Sequence, residues 1–153
     1  MGPDRRGTPE GWLLASAPML PIHWDTVRLF LHVGAATIWV GGQLTLAGLV
    51  PGLRAIGPDA PRAMARRFNL IAWPAYFVLV MTGIWNVFAI SDLDITTAYG
   101  KTLMVKVVVA IFSGLAAFLH SVSRSKTGLA VWGALSALSA VAALFLGVLL
   151  SQY

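Results

Sequence analysis

The chain contains no cysteine, which excludes disulfides, thiolate metal sites and cysteine nucleophiles. Charge is scarce, since charged residues make up 11% of the sequence, and acidic residues number 6 against 11 lysines and arginines. We find no glycine-rich nucleotide loop, HExxH motif, paired carboxylates or Ser-His-Asp set, so hydrolytic catalysis has no motif to support it. The basic residues stand in short loops beside apolar segments, and we expect no nucleic-acid partner.

Apolar sequence is what the chain has in quantity, with 58% hydrophobic residues and a mean hydropathy of +0.77. Because a helix rises ~1.5 Å per residue and the hydrocarbon core is ~30 Å thick, about 20 apolar residues span a bilayer. We predict an all-α, polytopic transmembrane protein in contact with the lipid bilayer: an N-terminal tail, 1–25, followed by an up-and-down four-helix bundle, 26–153. The predicted helices are about 26–53, 68–91, 102–123 and 128–150. Pro51 and Gly52 are expected to end the first.

The loops differ in charge. Basic residues concentrate in segments 54–67 and 124–127, namely Arg54, Arg62, Arg66, Arg67, Arg124 and Lys126. The loop between the second and third helices instead carries Asp92 and Asp94. The positive-inside rule therefore predicts that loops 54–67 and 124–127 are cytoplasmic and that both termini lie outside.

Small residues form a stripe on two of the predicted helices. Because lipid supplies no hydrophobic force between helices, small residues are needed where helices approach closely. We expect these stripes to be packing seams, and the first could also join copies of the chain or a larger membrane complex through Gly34, Gly41 and Gly48. At 100° per residue the two stripes comprise Gly34, Thr37, Gly41, Thr45 and Gly48 in the first helix, and Gly133, Ser136, Ala137, Ala140 and Gly147 in the fourth.

Polar residues on three helices are expected at similar depth, close to the outer surface. This cluster comprises His32, Thr82, Asn86 and Lys106. One interpretation is a ligand site in which the neutral imidazole of His32 binds a metal or haem iron. The alternative is ordinary hydrogen bonding between helices, with Lys106 extending to the surface. His120 is about 21 Å further along the third helix than Lys106 and is expected at the opposite interface.

Thioether and imidazole groups suit copper, Cu(I) and Cu(II) respectively. A copper ion site is therefore one hypothesis, although methionine in a membrane helix usually serves packing. The candidate metal ligands are His32, His23, Met81 and Met104.

Five short motifs together resemble the CopD family of copper-resistance membrane proteins, over about residues 27–125. The resemblance implies a small bundle in the bacterial inner membrane with a part in copper uptake or tolerance. The positions that match the family pattern are His32, Trp39, Arg67, Asn86 and Lys106. The motifs are Leu31-His32, Ile38-Trp39-Val40-Gly41-Gly42, Arg66-Arg67-Phe68, Thr82-Gly83 with Asn86, and Val105-Lys106.

The pattern is also distantly similar to the HemJ-type protoporphyrinogen oxidase, a four-helix haem protein with an important histidine on helix one and lysine on helix three. His32 and Lys106 stand at corresponding places, which implies haem b as the alternative cofactor. The candidate cofactor-binding residues are His32, Trp39, Asn86 and Lys106. The chain departs from HemJ proteins at residues 49–54, where they carry a Pro-Arg-Leu-Phe-type segment. Three hypotheses stay open: a copper-handling membrane protein, which we place first, a haem-dependent oxidase, and a non-catalytic bundle subunit of a larger membrane complex.

Overall fold

The computed structural model describes residues 22–153, so the predicted tail lies almost entirely outside the described part. Four long helices make up this part: α1 (Trp24–Ile56), α2 (Ala60–Phe88), α3 (Ala98–Val122) and α4 (Lys126–Leu150). Each is long and apolar enough to cross a membrane, and at most 22% of the apolar window of any helix is buried inside the protein. Apolar side chains so widely exposed need lipid around them. The prediction of an all-α, multi-pass four-helix bundle is confirmed.

Consecutive helices run up and down, joined by loops 57–59, 89–97 and 123–125. α1 packs on α2, α3 packs on α4, and the middle of α1 contacts α4. We call the end of the bundle that carries Arg54, Arg124 and Lys126 the basic end. The other end, with Asp25 and loop 89–97, is the acidic end. Which end faces the cytoplasm stays a prediction.

The prediction that Pro51 and Gly52 end the first helix is wrong, because α1 continues to Ile56. A proline inside a helix removes one backbone donor, and transmembrane helices tolerate that loss. The segment 54–67, which the sequence predicts as a loop or a short interfacial helix, belongs mostly to the long helices, since α1 ends at Ile56 and α2 begins at Ala60. Gly57 and Pro58 make the break instead, as proline cannot continue a helix beyond its C-terminus.

α3 starts earlier than the sequence analysis placed it. Its N-cap is Thr97, whose hydroxyl oxygen accepts a 3.0 Å hydrogen bond from the Gly100 amide. The preceding loop is fixed by Asp94, whose carboxylate accepts from the amide and the hydroxyl of Thr96. These two bonds, the backbone one first, hold the pKa of the Asp94 carboxyl below its ordinary value. A polar start therefore anchors α3 at the acidic end.

The first helix does not keep one face throughout its length, because Thr37–Gly41 form a π-helical turn. Such a turn accommodates one extra residue and rotates the following helix by about 100° relative to a continuous α-helix. Gly34 therefore no longer shares an arc with Gly41 and Gly48. A Cβ added at any of these three glycines would meet nothing within 4 Å. The expectation of a packing seam on α1 is wrong for contacts within the described chain.

The stripe on α4, in contrast, does pack inside the bundle. Ser136 and Ala140 are buried. A Cβ at Gly133 would lie 2.9 Å from Nδ1 of His120, and one at Gly147 would lie 3.3 Å from Nζ of Lys106. The seam on α4 thus contacts two side chains of α3, those of His120 and Lys106.

The core is an aromatic cluster at mid-bundle. The ring centroid of Trp39 lies 5.8 Å from that of Trp73 and 4.5 Å from that of Tyr76. Trp39 is 3% exposed and donates its indole N–H to Oγ of Ser113, over 3.1 Å. Ser113 in turn donates to the backbone carbonyl of Ser136. This network ties the α1–α2 hairpin to the α3–α4 hairpin.

Gly114 provides a test of this packing. A Cβ at this position would overlap the phenol of Tyr76, whose hydroxyl donates to the carbonyl of Ala110 over 3.1 Å. We expect Gly114→Ala to displace the ring and lower the free energy of unfolding by about 2 kcal/mol. Gly48→Ala, with open space around it, should be neutral or stabilise the helix by up to about 1 kcal/mol. Denaturant titration in micelles, followed by circular dichroism, measures both, and equal effects would contradict the packing described.

Candidate functional site

His32 is held in a defined orientation by α2. Its Nδ1 lies 2.9 Å from the hydroxyl oxygen of Thr82, which is also 2.7 Å from the carbonyl oxygen of Val78. A carbonyl only accepts, so all three groups are satisfied when Thr82 donates to Val78 and His32 Nδ1–H donates to Thr82. This tautomer leaves a lone pair on Nε2. A hydrogen bond on one ring nitrogen that frees the other is the usual arrangement of a metal-binding imidazole.

Gly83 gives the His32 ring room to lie against α2. A Cβ added at Gly83 would come within 3.4 Å of Cε1 of His32. Thr82 and Gly83 therefore position the His32 ring together. The threonine hydroxyl is hydrogen-bonded to Nδ1, and the absence of a side chain at Gly83 leaves space for Cε1. Thr82 and Gly83 form one of the motifs found in the sequence, but their separate roles could not be assigned from the sequence.

Lys106 lies at the depth of His32. Each is eight residues beyond the first residue of its helix, Trp24 or Ala98, which is roughly 12 Å of axial rise from the acidic end. His32 lies against Gly83 of α2, and Lys106 lies on the side of α3 that faces α4. The ammonium lies against Gly147 of α4 and forms no ion pair within the described residues. The structure thus places His32 and Lys106 at the same level of the bundle.

A second cation, Arg28, completes this region and was not identified from the sequence. It is 9% exposed, donates to Asp25 over 2.9 Å and makes a 3.4 Å contact with the carbonyl of Trp85. Its Nε is buried without a partner among the described residues. Arg28 stands four residues before His32, so the spacing that places both on one helical face was the available signal.

Asn86 carries another buried polar atom, its side-chain oxygen Oδ1, which has no partner within residues 22–153. Buried polar groups are nearly always hydrogen-bonded, so an unpartnered one points to a missing water or ligand. Asn86 stands one helical turn beyond Thr82 on α2, as predicted. We use the name outer cluster for these five residues: Arg28, His32, Thr82, Asn86 and Lys106.

Other predicted site residues are placed elsewhere. Trp39 lies in the aromatic core with its N–H bonded to Ser113, so its position gives it a packing role. Arg67 is exposed in the first part of α2, toward the basic end. His23 is exposed and lines a surface depression with Ile22, Trp24 and Val27. Met81 is 49% exposed on α2, whereas Met104 is half-buried on α3.

The outer cluster therefore offers one imidazole with a free nitrogen, two cations, and two buried polar atoms that lack partners. Within residues 22–153 no group of three or more His, Asp or Glu side chains is placed to hold a metal ion. Chemically, this arrangement suits a ligand that takes one axial nitrogen and carries anionic oxygens. Comparison with models of known protein families, with curated proteins and with solved structures found no match to this chain.

Proposed function

We propose that the protein is a membrane haem-binding protein in which Nε2 of His32 would hold haem b. The observation that supports this is the set of unpartnered groups around one oriented imidazole. Nε2 of His32 is left free by the bond to Thr82, while Nε of Arg28 is a buried donor without a partner among the described residues. A haem has an iron that accepts one or two protein ligands and propionates that accept hydrogen bonds.

The number of ligands favours haem over a bound copper ion. A porphyrin supplies four nitrogens to its iron, so one imidazole is enough to hold it. A copper ion takes most of its ligands from the protein, and two of the predicted ones, His23 and Met81, have exposed side chains. The cations of Arg28 and Lys106 would also repel a bare metal ion, whereas they attract propionates.

The residues of the chain have distinct parts in this proposal. His32 binds, and Thr82 fixes the ring and raises the basicity of Nε2 through the bond to Nδ1–H. Arg28 and Lys106 would pair with the haem propionates in a medium of low dielectric, where such an ion pair is stronger than in water. Bound haem would supply one-electron redox chemistry.

The composition of purified protein tests the proposal. We expect protein made in haem-replete cells and purified in mild detergent to carry a Soret band and one iron porphyrin per chain or per pair of chains. Stoichiometric copper without a Soret band would favour the copper hypothesis and overturn ours. The absence of both, with other proteins in constant stoichiometry, would favour the subunit hypothesis and also overturn ours.

Thr82→Val is a sharper probe because valine keeps the shape of threonine and removes only the hydroxyl. We expect haem affinity to fall roughly 10–100-fold, the usual effect of losing the outer partner of an axial histidine. Thr45→Val, at an exposed position of α1, is the matched control and should bind haem as the wild type does. Haem transfer to apomyoglobin, followed at the Soret wavelength, measures both. Unchanged retention in Thr82→Val would contradict the role given to the hydroxyl.

A further inference from the structure

Three basic side chains from three helices line a cavity at the basic end, far from the outer cluster. The cavity has a volume of about 580 Å³, and its lining consists of Arg54, His120, Lys126, Leu129 and Ala130. Arg54 comes from the last turn of α1, His120 from the last turn of α3, and Lys126 is the first residue of α4. The haem proposal makes no use of any of them.

Among the residues that the structure describes, no carboxylate balances this charge. Within residues 22–153 the one ion pair joins Arg28 and Asp25, at the acidic end. Asp59 is the acidic residue nearest in sequence to Arg54, and it is exposed at the start of α2 without an ion pair. Two permanent cations therefore face one cavity with no anion from the described chain.

The orientation of His120 leaves its second nitrogen available. Nδ1 donates a 2.8 Å hydrogen bond to the carbonyl of Leu129, because a carbonyl only accepts. The ring lies over Gly133, where a Cβ would come 2.9 Å from Nδ1. Nε2 is then the ring nitrogen without a hydrogen bond among the described residues.

The backbone adds positive potential in the same place. Lys126 opens α4, where the helix dipole is positive and a basic residue is unfavourable. Ser125 caps one amide of this turn, that of Gly128, over 3.0 Å. An anion in the cavity would offset both the dipole and the lysine charge.

We propose that this cavity binds a phosphate group, and that the phosphate belongs to the headgroup of an anionic phospholipid. Basic pockets between transmembrane helices at a membrane surface are typical sites for such headgroups. The cavity stands at the ends of three membrane helices, which is the level of the phosphate layer. Leu129 and Ala130 line it with apolar groups suited to the first part of an acyl chain.

The test compares thermal unfolding of the full chain in phosphatidylcholine nanodiscs with and without phosphatidylglycerol. We expect phosphatidylglycerol to raise the unfolding midpoint of the wild type, because a ligand of the native state stabilises it. Arg54→Gln with Lys126→Gln should bind phosphatidylglycerol roughly 30-fold more weakly, about fivefold for each cation, and should lose the increment. Native mass spectrometry of retained lipid gives an independent measurement.

Matched variants separate a site from general surface charge. Arg62→Gln with Arg124→Gln removes the same charge near the same end without touching the cavity lining, and it should keep the phosphatidylglycerol increment. Arg54→Lys with Lys126→Arg keeps both cations and should also keep the phosphatidylglycerol increment. This variant shows whether the loss in the neutral pair comes from the missing charge or from misfolding. Equal loss in the two neutral pairs, or no increment in the wild type, would overturn the proposal.

A final arm identifies the source of the phosphate. Inorganic phosphate and chloride are compared at equal ionic strength in phosphatidylcholine nanodiscs. Stabilisation by phosphatidylglycerol alone supports a lipid headgroup. Stabilisation by inorganic phosphate alone, lost in the neutral cavity pair, keeps the phosphate site and overturns its assignment to lipid. None of these readouts depends on haem.

Discussion

Trp39→Ala is expected to lower the free energy of unfolding by about 3 kcal/mol, the largest stability loss of the substitutions considered. The side chain is 3% exposed and contacts two aromatic rings, those of Trp73 and Tyr76. In lipid the transfer term is small, because the unfolded reference also places the indole in an apolar medium. The loss therefore comes from the cavity and from the hydrogen bond to Ser113.

Three further variants make this prediction specific. Trp39→Phe keeps one ring and should recover more than half of the stability. Trp24→Ala removes the same side chain from a position that is 79% exposed and should change the stability little. Denaturant titration in micelles, followed by circular dichroism, applies to all of them. Trp39→Ala with unchanged stability but lost haem would instead support the prediction from the family resemblance that Trp39 binds a cofactor. Ser113→Ala should cost about 1 kcal/mol.

His32→Ala is expected to abolish the Soret band of the purified protein, an effect greater than the 10–100-fold loss predicted for Thr82→Val. The reason is that His32 is the sole imidazole of the outer cluster, so no other side chain there would replace it. The fold should persist, because His32 is half-buried and makes one side-chain hydrogen bond. Absorbance at the Soret wavelength, normalised to protein, measures the effect.

The matched control is His120→Ala. His120 is also half-buried and also hydrogen-bonded through Nδ1, but it lies at the basic end. It should leave the Soret band unchanged. His32→Gly gives a second route, because imidazole added to the solution should restore the band by binding in the space that the side chain leaves. A Soret band that persists in both His32 variants would refute the ligand assignment.

The helices could be predicted from the sequence because crossing a bilayer leaves a strong signal, about 20 apolar residues each. Their ends could be predicted less well. The third helix was predicted to begin at about residue 102, whereas α3 begins at a threonine cap ahead of Lys101. The first was expected to end at Pro51 and Gly52, whereas α1 continues through Pro51. The cap signal of Thr97 was present in the sequence. The continuation of α1 beyond Pro51 could not be predicted, because the loss of one backbone hydrogen-bond donor can either end a helix or be tolerated.

The outer cluster was partly predictable for a geometric reason. His32 and Lys106 were expected at one depth, and the rise per residue is enough to establish depth once topology is known. Depth alone does not say which side chains touch. The bond from His32 to Thr82 depends on helix rotation, and Arg28 was not identified although its spacing to His32 placed it on the same face.

The π-helical turn at Thr37–Gly41 also affects how distant relatives of this chain should be compared with it. A relative with an uninterrupted α-helix would have one residue fewer between the positions equivalent to His32 and Gln43. In the second half of the helix, an alignment without a gap at that point would then assign the wrong residues to the side that faces the bundle. One of the misassigned positions would be Gln43, whose side-chain oxygen accepts a hydrogen bond from the hydroxyl of Ser136. A one-residue gap within this turn restores the correspondence.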